Sequence, residues 1–203
     1  MDDAEAPGWA AIDAAMVALH GQQEPAHWLL DSSLGLIGSR LEGLSAYDAG
    51  DHWHFVTLGL SDIWTEASVN QSVSGLGYEF TMRVRRPPRP RWSLGRGRTD
   101  APPHWTVRLM QRLGDVSLGG AQFRPGETLD PGERITGEVA SDLVAVGFVD
   151  DPSLSTLDTP NGAVWFVQAV GMTAPQLHSI RTGAAPMSSL GGLDGLFITD
   201  ATR

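Results

Sequence analysis

Without cysteine, any chemistry in this chain must come from histidine, carboxylates, hydroxyls or arginine. Thiol nucleophiles, disulfides, zinc–thiolate sites and iron–sulfur clusters are excluded together. His52 and His54 stand two residues apart, a spacing that puts both imidazoles on one face of a strand. With a remote carboxylate, such a pair could serve acid–base catalysis in a small hydrolase or donate two ligands to a metal. A metal needs a third ligand, but His104 and His178 are distant in sequence and no His–Glu–x–x–His pattern occurs. Beside Trp53 and Phe55, the pair reads more readily as strand surface or as satisfied buried histidines. Asp150 and Asp151 form a carboxylate pair, yet Pro152 and Ser153 follow directly, so a solvated turn is the expectation. Gly75-Leu76-Gly77 and Gly95-Arg96-Gly97 do not extend into a dinucleotide fingerprint. Lysine is absent, which rules out a P-loop, and there is no Gly–x–Ser–x–Gly elbow. No catalytic residue, metal or cofactor is assigned, and a non-enzyme is expected.

The elements that would position these groups can be read from periodicity. Residues 8–20 predict a helix with Trp9, Ile12, Met16 and Leu19 as its apolar stripe and Gly21 as its stop. Part of 28–44 reads as an edge strand. Residues 52–60 alternate as a strand, and so do 75–86. In the second strand Tyr78, Phe80, Met82 and Val84 point one way, and Glu79, Thr81, Arg83 and Arg85 the other. One face is expected buried and one wet. A helix begins near Pro102 or Pro103, with Asp100 placed to cap it and Trp105, Leu109, Leu113 and Val116 as its buried stripe. The glycines and prolines of 119–134 predict turns, 135–148 one or two strands, and 163–172 a buried strand. Thr173 and Gln176 have the spacing of a capping box, opening a short helix that Gly183 ends. Residues 196–199 predict a last strand. The fold class is a mixed α/β (α+β) domain: a central mixed, largely antiparallel sheet with helices packed on it. A single domain spanning 1–203 is expected, with 1–6 disordered.

The 203 residues carry a net charge of −10, which opposes nucleic-acid binding. All 14 basic residues are arginine, and seven (Arg83, Arg85, Arg86, Arg89, Arg91, Arg96, Arg98) lie between 83 and 98, where no acid occurs. The remaining seven face 24 acidic residues. The picture is an acidic body with one basic, proline-rich arm, mobile over 87–102. It reads as a solvated loop, an anion-binding arm or a docking segment, nucleic acid ranking last. No stretch is apolar enough for a membrane span, and the acidic N-terminus does not fit a signal peptide, so a cytoplasmic protein is expected. Of seven tryptophans, Trp9, Trp53, Trp105 and Trp165 fall on expected buried stripes. Trp64 does not, and an aromatic just past a strand end is a candidate partner contact.

The run His52-Trp53-His54-Phe55-Val56-Thr57-Leu58-Gly59-Leu60-Ser61-Asp62-Ile63-Trp64 resembles the most recognisable stretch of the suppressor-of-fused family. Further blocks agree in order: Ser74-Gly75-Leu76-Gly77-Tyr78-Glu79-Phe80-Thr81, Pro102-Pro103-His104-Trp105, Thr159-Pro160-Asn161-Gly162 leading into Phe166-Val167-Gln168-Ala169-Val170-Gly171, Gln176-Leu177-His178-Ser179, and Ile198-Thr199-Asp200. The agreement runs from about Pro7 to the C-terminus and is with the N-terminal domain of the animal members. The resemblance implies a mixed α/β fold, no catalysis, and a protein partner. Animal members sequester Gli transcription factors in Hedgehog signalling and hold the partner peptide as an added strand between two domains; only the first has a counterpart here. Trp64 falls at a partner-contacting aromatic, and Gln71 stands where the family has an acidic contact. Asp62, Trp64, Gln71 and Tyr78 are the implied partner-binding residues. Stand-alone bacterial members resemble immunity proteins of polymorphic toxin systems, and an acidic body suits a basic toxin partner.

Overall fold

A computed structural model describes residues 6–30, 41–63, 72–86, 101–192 and 194–202. The elements run α1 (Pro7–His20), β1 (Ala26–Leu29), β2 (Gly43–Asp48), β3 (His52–Leu58), β4 (Val73–Arg85), α2 (His104–Leu118), β5 (Thr128–Leu129), β6 (Leu143–Asp150), β7 (Leu157–Thr159), β8 (Gly162–Thr173) and α3 (Ala174–Arg181). The eight strands form one sheet in the order β1-β2-β3-β4-β8-β6-β5, with β7 pairing β8. Neighbours are antiparallel except β4 and β8, which run parallel. The expected mixed, mostly antiparallel sheet with helices packed on it is present.

Register explains how the faces divide. Phe55 lies opposite Met82, and Ala169 opposite Phe148. These side chains join Phe80, Trp105, Met110 and Leu113 in one core beneath α2. On the reverse face α1 packs Ile12 and Met16 against Tyr47, Val56, Leu58 and Phe166. Farther along, α3 covers Ala145 and Met172 with Leu177. Between them on that reverse face runs a row of polar side chains. Tyr47, His54 and Arg83 sit side by side across three strands, and Thr81 stands opposite Gln168.

Several sequence expectations change. The alternation in β4 is correct, but its supposed wet face is dry: Glu79, Thr81 and Arg83 are all buried. Covering helices make both faces interior. Strand β2 was missed because its small residues imitate a loop. The segment expected as strand from 135 begins only at Leu143, and 196–199 contributes just an isolated bridge, Val84 to Thr199. In α1 Leu19 is exposed, and in α2 Val116 is 44% exposed while the neighbouring Ser117 is buried. Ser117 is held there because its Oγ accepts a hydrogen bond from the Tyr78 hydroxyl. Trp165, expected on a buried stripe, is 37% exposed. The α3 capping box forms as read, and Asp100 lies outside the described residues. Ala6 is buried and caps the start of α1.

The phase of α2 gives a direct check. Leu113→Ala should lower unfolding stability by about 2–5 kcal/mol, the cost of a core cavity. Val116→Ala should change it by less than about 0.5 kcal/mol. Urea denaturation of the two variants measures both.

Candidate functional site

The row of polar groups on the reverse face converges on Asp151. Arg83 donates to it bidentately, Nη1 to Oδ2 and Nη2 to Oδ1, each at 3.0 Å. Thr81 Oγ1 donates at 2.7 Å and His54 Nε2 at 3.1 Å to Oδ2. The backbone N–H groups of Ser153 and Leu154 donate to Oδ1 at 2.9 and 3.1 Å. Asp151 is therefore no solvated turn residue. The turn after β6 folds its carboxylate inward, and the Asp151 and His54 side chains are wholly buried, with that of Arg83 nearly so. Arg83 also donates to Gln168 Oε1. Gln168 Nε2 in turn donates to the carbonyls of Leu196 and Phe197, both at 3.0 Å, which ties the C-terminal segment to the sheet.

His54 finds the remote carboxylate that an acid–base site would need, across 97 residues of sequence. Its other nitrogen, Nδ1, lies 2.9 Å from His20 Nε2. With an ionised Asp151 accepting from Nε2–H, neutral His54 must accept at Nδ1, so His20 donates from Nε2–H. Burial, with the Arg83 charge adding, pushes both His54 and His20 down to about 4. Burial alone would raise Asp151, but its hydrogen bonds and the guanidinium outweigh that and hold it well below the usual carboxylate range. His52 shares the face of His54, and its Nδ1 lies 2.7 Å from Asp51 Oδ1. The His54 side chain is fully buried, and Thr81 Oγ1 shares its carboxylate acceptor. Among the described residues no group of three or more His, Asp or Glu is arranged to hold a metal.

A second buried acid, Glu79, organises the segment after β3. Its Oε1 receives the N–H groups of Gly59, Leu60 and Ser61 at 3.1, 3.0 and 2.8 Å and the Ser61 hydroxyl at 2.6 Å. Thr57 donates to Oε2 at 2.6 Å. Burial pushes Glu79 up to about 7 against those bonds. Sequence reading missed this role because Glu79 was assigned to solvent.

Of the implied partner-binding residues, Asp62 and Tyr78 are described, whereas Trp64 and Gln71 lie outside the described residues. The Asp62 carbonyl accepts from Asn161 Nδ2 at 2.9 Å and from Ser74 Oγ at 3.2 Å, and its N–H donates to Ser74 Oγ at 2.9 Å. Tyr78 is buried, with its ring 6.1 Å from that of Trp165. The start of β4 passes close beneath: Leu76 N–H donates to the Leu60 carbonyl at 2.8 Å. Gly77 has φ +85, and a Cβ there would lie 2.6 Å from the Trp165 ring. Leu76, 39% exposed, therefore adjoins the Leu60–Asp62 segment, and Trp165, 37% exposed, lies against Gly77. Of the basic arm, Arg83 is the buried partner of Asp151, Arg85 pairs with Asp51, and Arg86 pairs with Asp48 over the Trp53 ring. The arm's remaining arginines lie outside the described residues.

The mixed sheet, with buried and mutually satisfied polar groups on one face and a hydrogen-bonded loop at its end, defines an α/β domain of a recognisable kind. The family model described as suppressor of fused protein (SUFU) matches residues 38–203. The chain belongs to the suppressor of fused family. It is 29% identical over 141 residues to the suppressor of fused homologs of Homo sapiens and Mus musculus, a match covering 64% of this chain. It spans about a quarter (26%) of the length of those relatives. The fold is similar to the Sufu–Fu complex crystal structure (TM-score 0.82, 23% identity, 98% of this chain and 91% of that one). It is also similar to the crystal structure of Drosophila Suppressor of Fused (TM-score 0.76, 24% identity, 100% of this chain and 51% of that one). No helix among the described residues is long and apolar enough to cross a membrane.

Removing the central carboxylate should be severe. Asp151→Asn leaves Arg83 buried without its counter-charge and should cost about 3–5 kcal/mol, while Asp150→Asn, at an exposed strand end, should be near neutral in the same denaturation assay. The histidines also set a pH dependence. Their folded values near 4 lie below the unfolded 6.5, so the unfolded chain binds more protons between those limits and stability falls on acidification through that window. Glu79, raised from 4.5 to about 7, acts in the opposite sense between those values. One group against two leaves the histidines dominant near pH 5.5. Urea midpoints taken from about pH 7 to 4.5 should decrease, and the decrease should steepen in Glu79→Gln.

Proposed function

We propose that this domain works by binding a partner protein, as an immunity or sequestering factor that inhibits a toxin-like partner in a bacterial cytoplasm. The observation that carries the reading is the surface beside the Asp62 segment. Loop residues there are fixed from beneath by Glu79, Ser74 and Asn161, while Leu76 remains exposed alongside and Trp165 is exposed next to Gly77. A pre-ordered loop loses little entropy on binding, and exposed tryptophan is a strong anchor in interfaces. Asp62, Trp64 and Gln71 would make the contact, with Tyr78 supporting Trp165 from the core. The net charge of −10 favours a basic partner by steering its approach. The Sufu–Fu complex gives a precedent for a protein partner on this fold. The alternative of a small hydrolase built on His52 and His54 gains a carboxylate in Asp151 but has no access from solvent to His54.

The test is calorimetric titration against the protein captured by the wild-type chain from its source. Trp64→Ala and Trp165→Ala should each weaken binding by roughly thirtyfold or more, equivalent to about 2 kcal/mol. Higher salt should slow association with little effect on the dissociation rate. Unchanged affinity in both variants would remove this surface from the interface.

A further inference from the structure

The helix α1 touches two places that no role above connects. At its N-terminal end Gly8 N–H donates to the Ile63 carbonyl at 3.2 Å. A Cβ on Gly8 would come within 2.5 Å of the Asp62 carbonyl oxygen, so only glycine lets the helix lie this close. At its C-terminal end His20 donates to His54. We propose that the His20–His54 hydrogen bond is an acid-sensitive latch that holds α1 on the sheet and, through Gly8, holds the Asp62–Ile63 segment in place.

The geometry makes the bond conditional on charge. Two neutral imidazoles share one proton between Nε2 and Nδ1. One proton more leaves a bond, because the imidazole that stays neutral can present an acceptor nitrogen; when both rings are protonated, His54 Nδ1 and His20 Nε2 both carry hydrogen and the hydrogen bond becomes a repulsion. Protonating His20 sets a second cation near Arg83. The surroundings of the pair are all accounted for. On α1 stands Asp13, which accepts from Tyr47 on β2 at 2.5 Å. On β3 stands His52 with Asp51 beside it. On β4 stand Thr81 and Arg83, on the turn after β6 Asp151, and on β8 Gln168. Among the described residues Asp151 is the carboxylate bonded to His54, and Arg83 and Thr81 already occupy it. It cannot also balance two imidazolium charges. Other holds on this end of α1 are the packing of Met16, the Tyr47–Asp13 bond and Gln23, whose Nε2 donates to the His20 and Asp48 carbonyls at 3.2 and 3.1 Å. None depends on histidine protonation. Acid thus loosens the helix through the histidines alone, before the carboxylate core titrates. The consequence for partner binding rests on the reading of Asp62 as a contact, but the latch does not.

Amide hydrogen exchange followed by NMR on the full chain tests it. After correction for intrinsic rates, α1 amides and the Gly8 amide should exchange about tenfold faster or more at pH 5 than at pH 7, while β4 and β8 amides keep their protection. His20→Gln keeps a donor to His54 but cannot titrate, and should remove most of that pH dependence. Tyr47→Phe should weaken α1 protection equally at both pH values and leave the dependence intact. A direct readout needs no variant: the His20 imidazole should titrate well below its ordinary value. An ordinary His20 titration, or an acid loss that spreads over β4 and β8 together with α1, would overturn the latch. Neither result bears on whether Asp62 contacts a partner.

Discussion

Arg83 and Asp151 are opposite charges placed where almost no water reaches them, and much of the reverse face follows from the need to keep them together. A buried lone charge costs several kcal/mol, so the pair persists only with complete hydrogen bonding. Asp151 has three donors on each oxygen, and Arg83 passes its remaining reach to Gln168. Each partner then constrains something else. His54 must be neutral with Nδ1 as an acceptor, which fixes His20 and the end of α1. Gln168 must present its Nε2 outward, which captures the Leu196 and Phe197 carbonyls. Ser153 and Leu154 must turn their N–H groups back, which shapes the loop into β7.

Such a network is a weak source of net stability but a strong source of specificity. Sliding β3 by one residue against β4 would move His54 to the opposite face, into the apolar core under α2, and take its bond from Asp151. The dry core under α2 cannot discriminate registers as sharply, because Phe55, Phe80, Met82 and Phe148 tolerate repacking. Saturation is close to complete: Thr106 Oγ1 is the one buried side-chain polar atom without a partner among the described residues.

Much of this fold was legible in sequence, and the misses share a cause. Strands β3, β4 and β8 announced themselves through β-branched and aromatic residues, and the Thr173–Gln176 box through its spacing. Strand β2 did not, since Gly43, Ser45 and Ala46 carry no strand signal and are there to be covered closely. The alternation of Glu79, Thr81 and Arg83 was visible, but alternation says only that two faces differ. Whether the polar face meets water or other polar groups depends on α1, on the turn at Asp151 and on Gln168, all far away in sequence. Asp151 beside Pro152 looks locally like any exposed turn. The family resemblance covered the Asp62 neighbourhood and Leu76 without giving Leu76 a contact, and it did not reach Trp165, beside which Gly77 passes closely.

The same division of labour bears on function class. An enzyme of this size commonly leaves its perturbed acids and bases at a cleft, where substrate can meet them. Here four of the perturbed groups, His20, His54, Glu79 and Asp151, bond to one another or to backbone amides. Glu79 fixes Gly59 through Ser61, and the segment it fixes runs directly into Asp62. Asp151 fixes His54 and, through His20, the helix whose Gly8 presses on that segment from the other side. Two buried acids on the same sheet face thus converge from opposite ends on one short stretch of backbone. A charge network that ends on a loop positions a surface, and a positioned surface is what recognition of a protein partner requires.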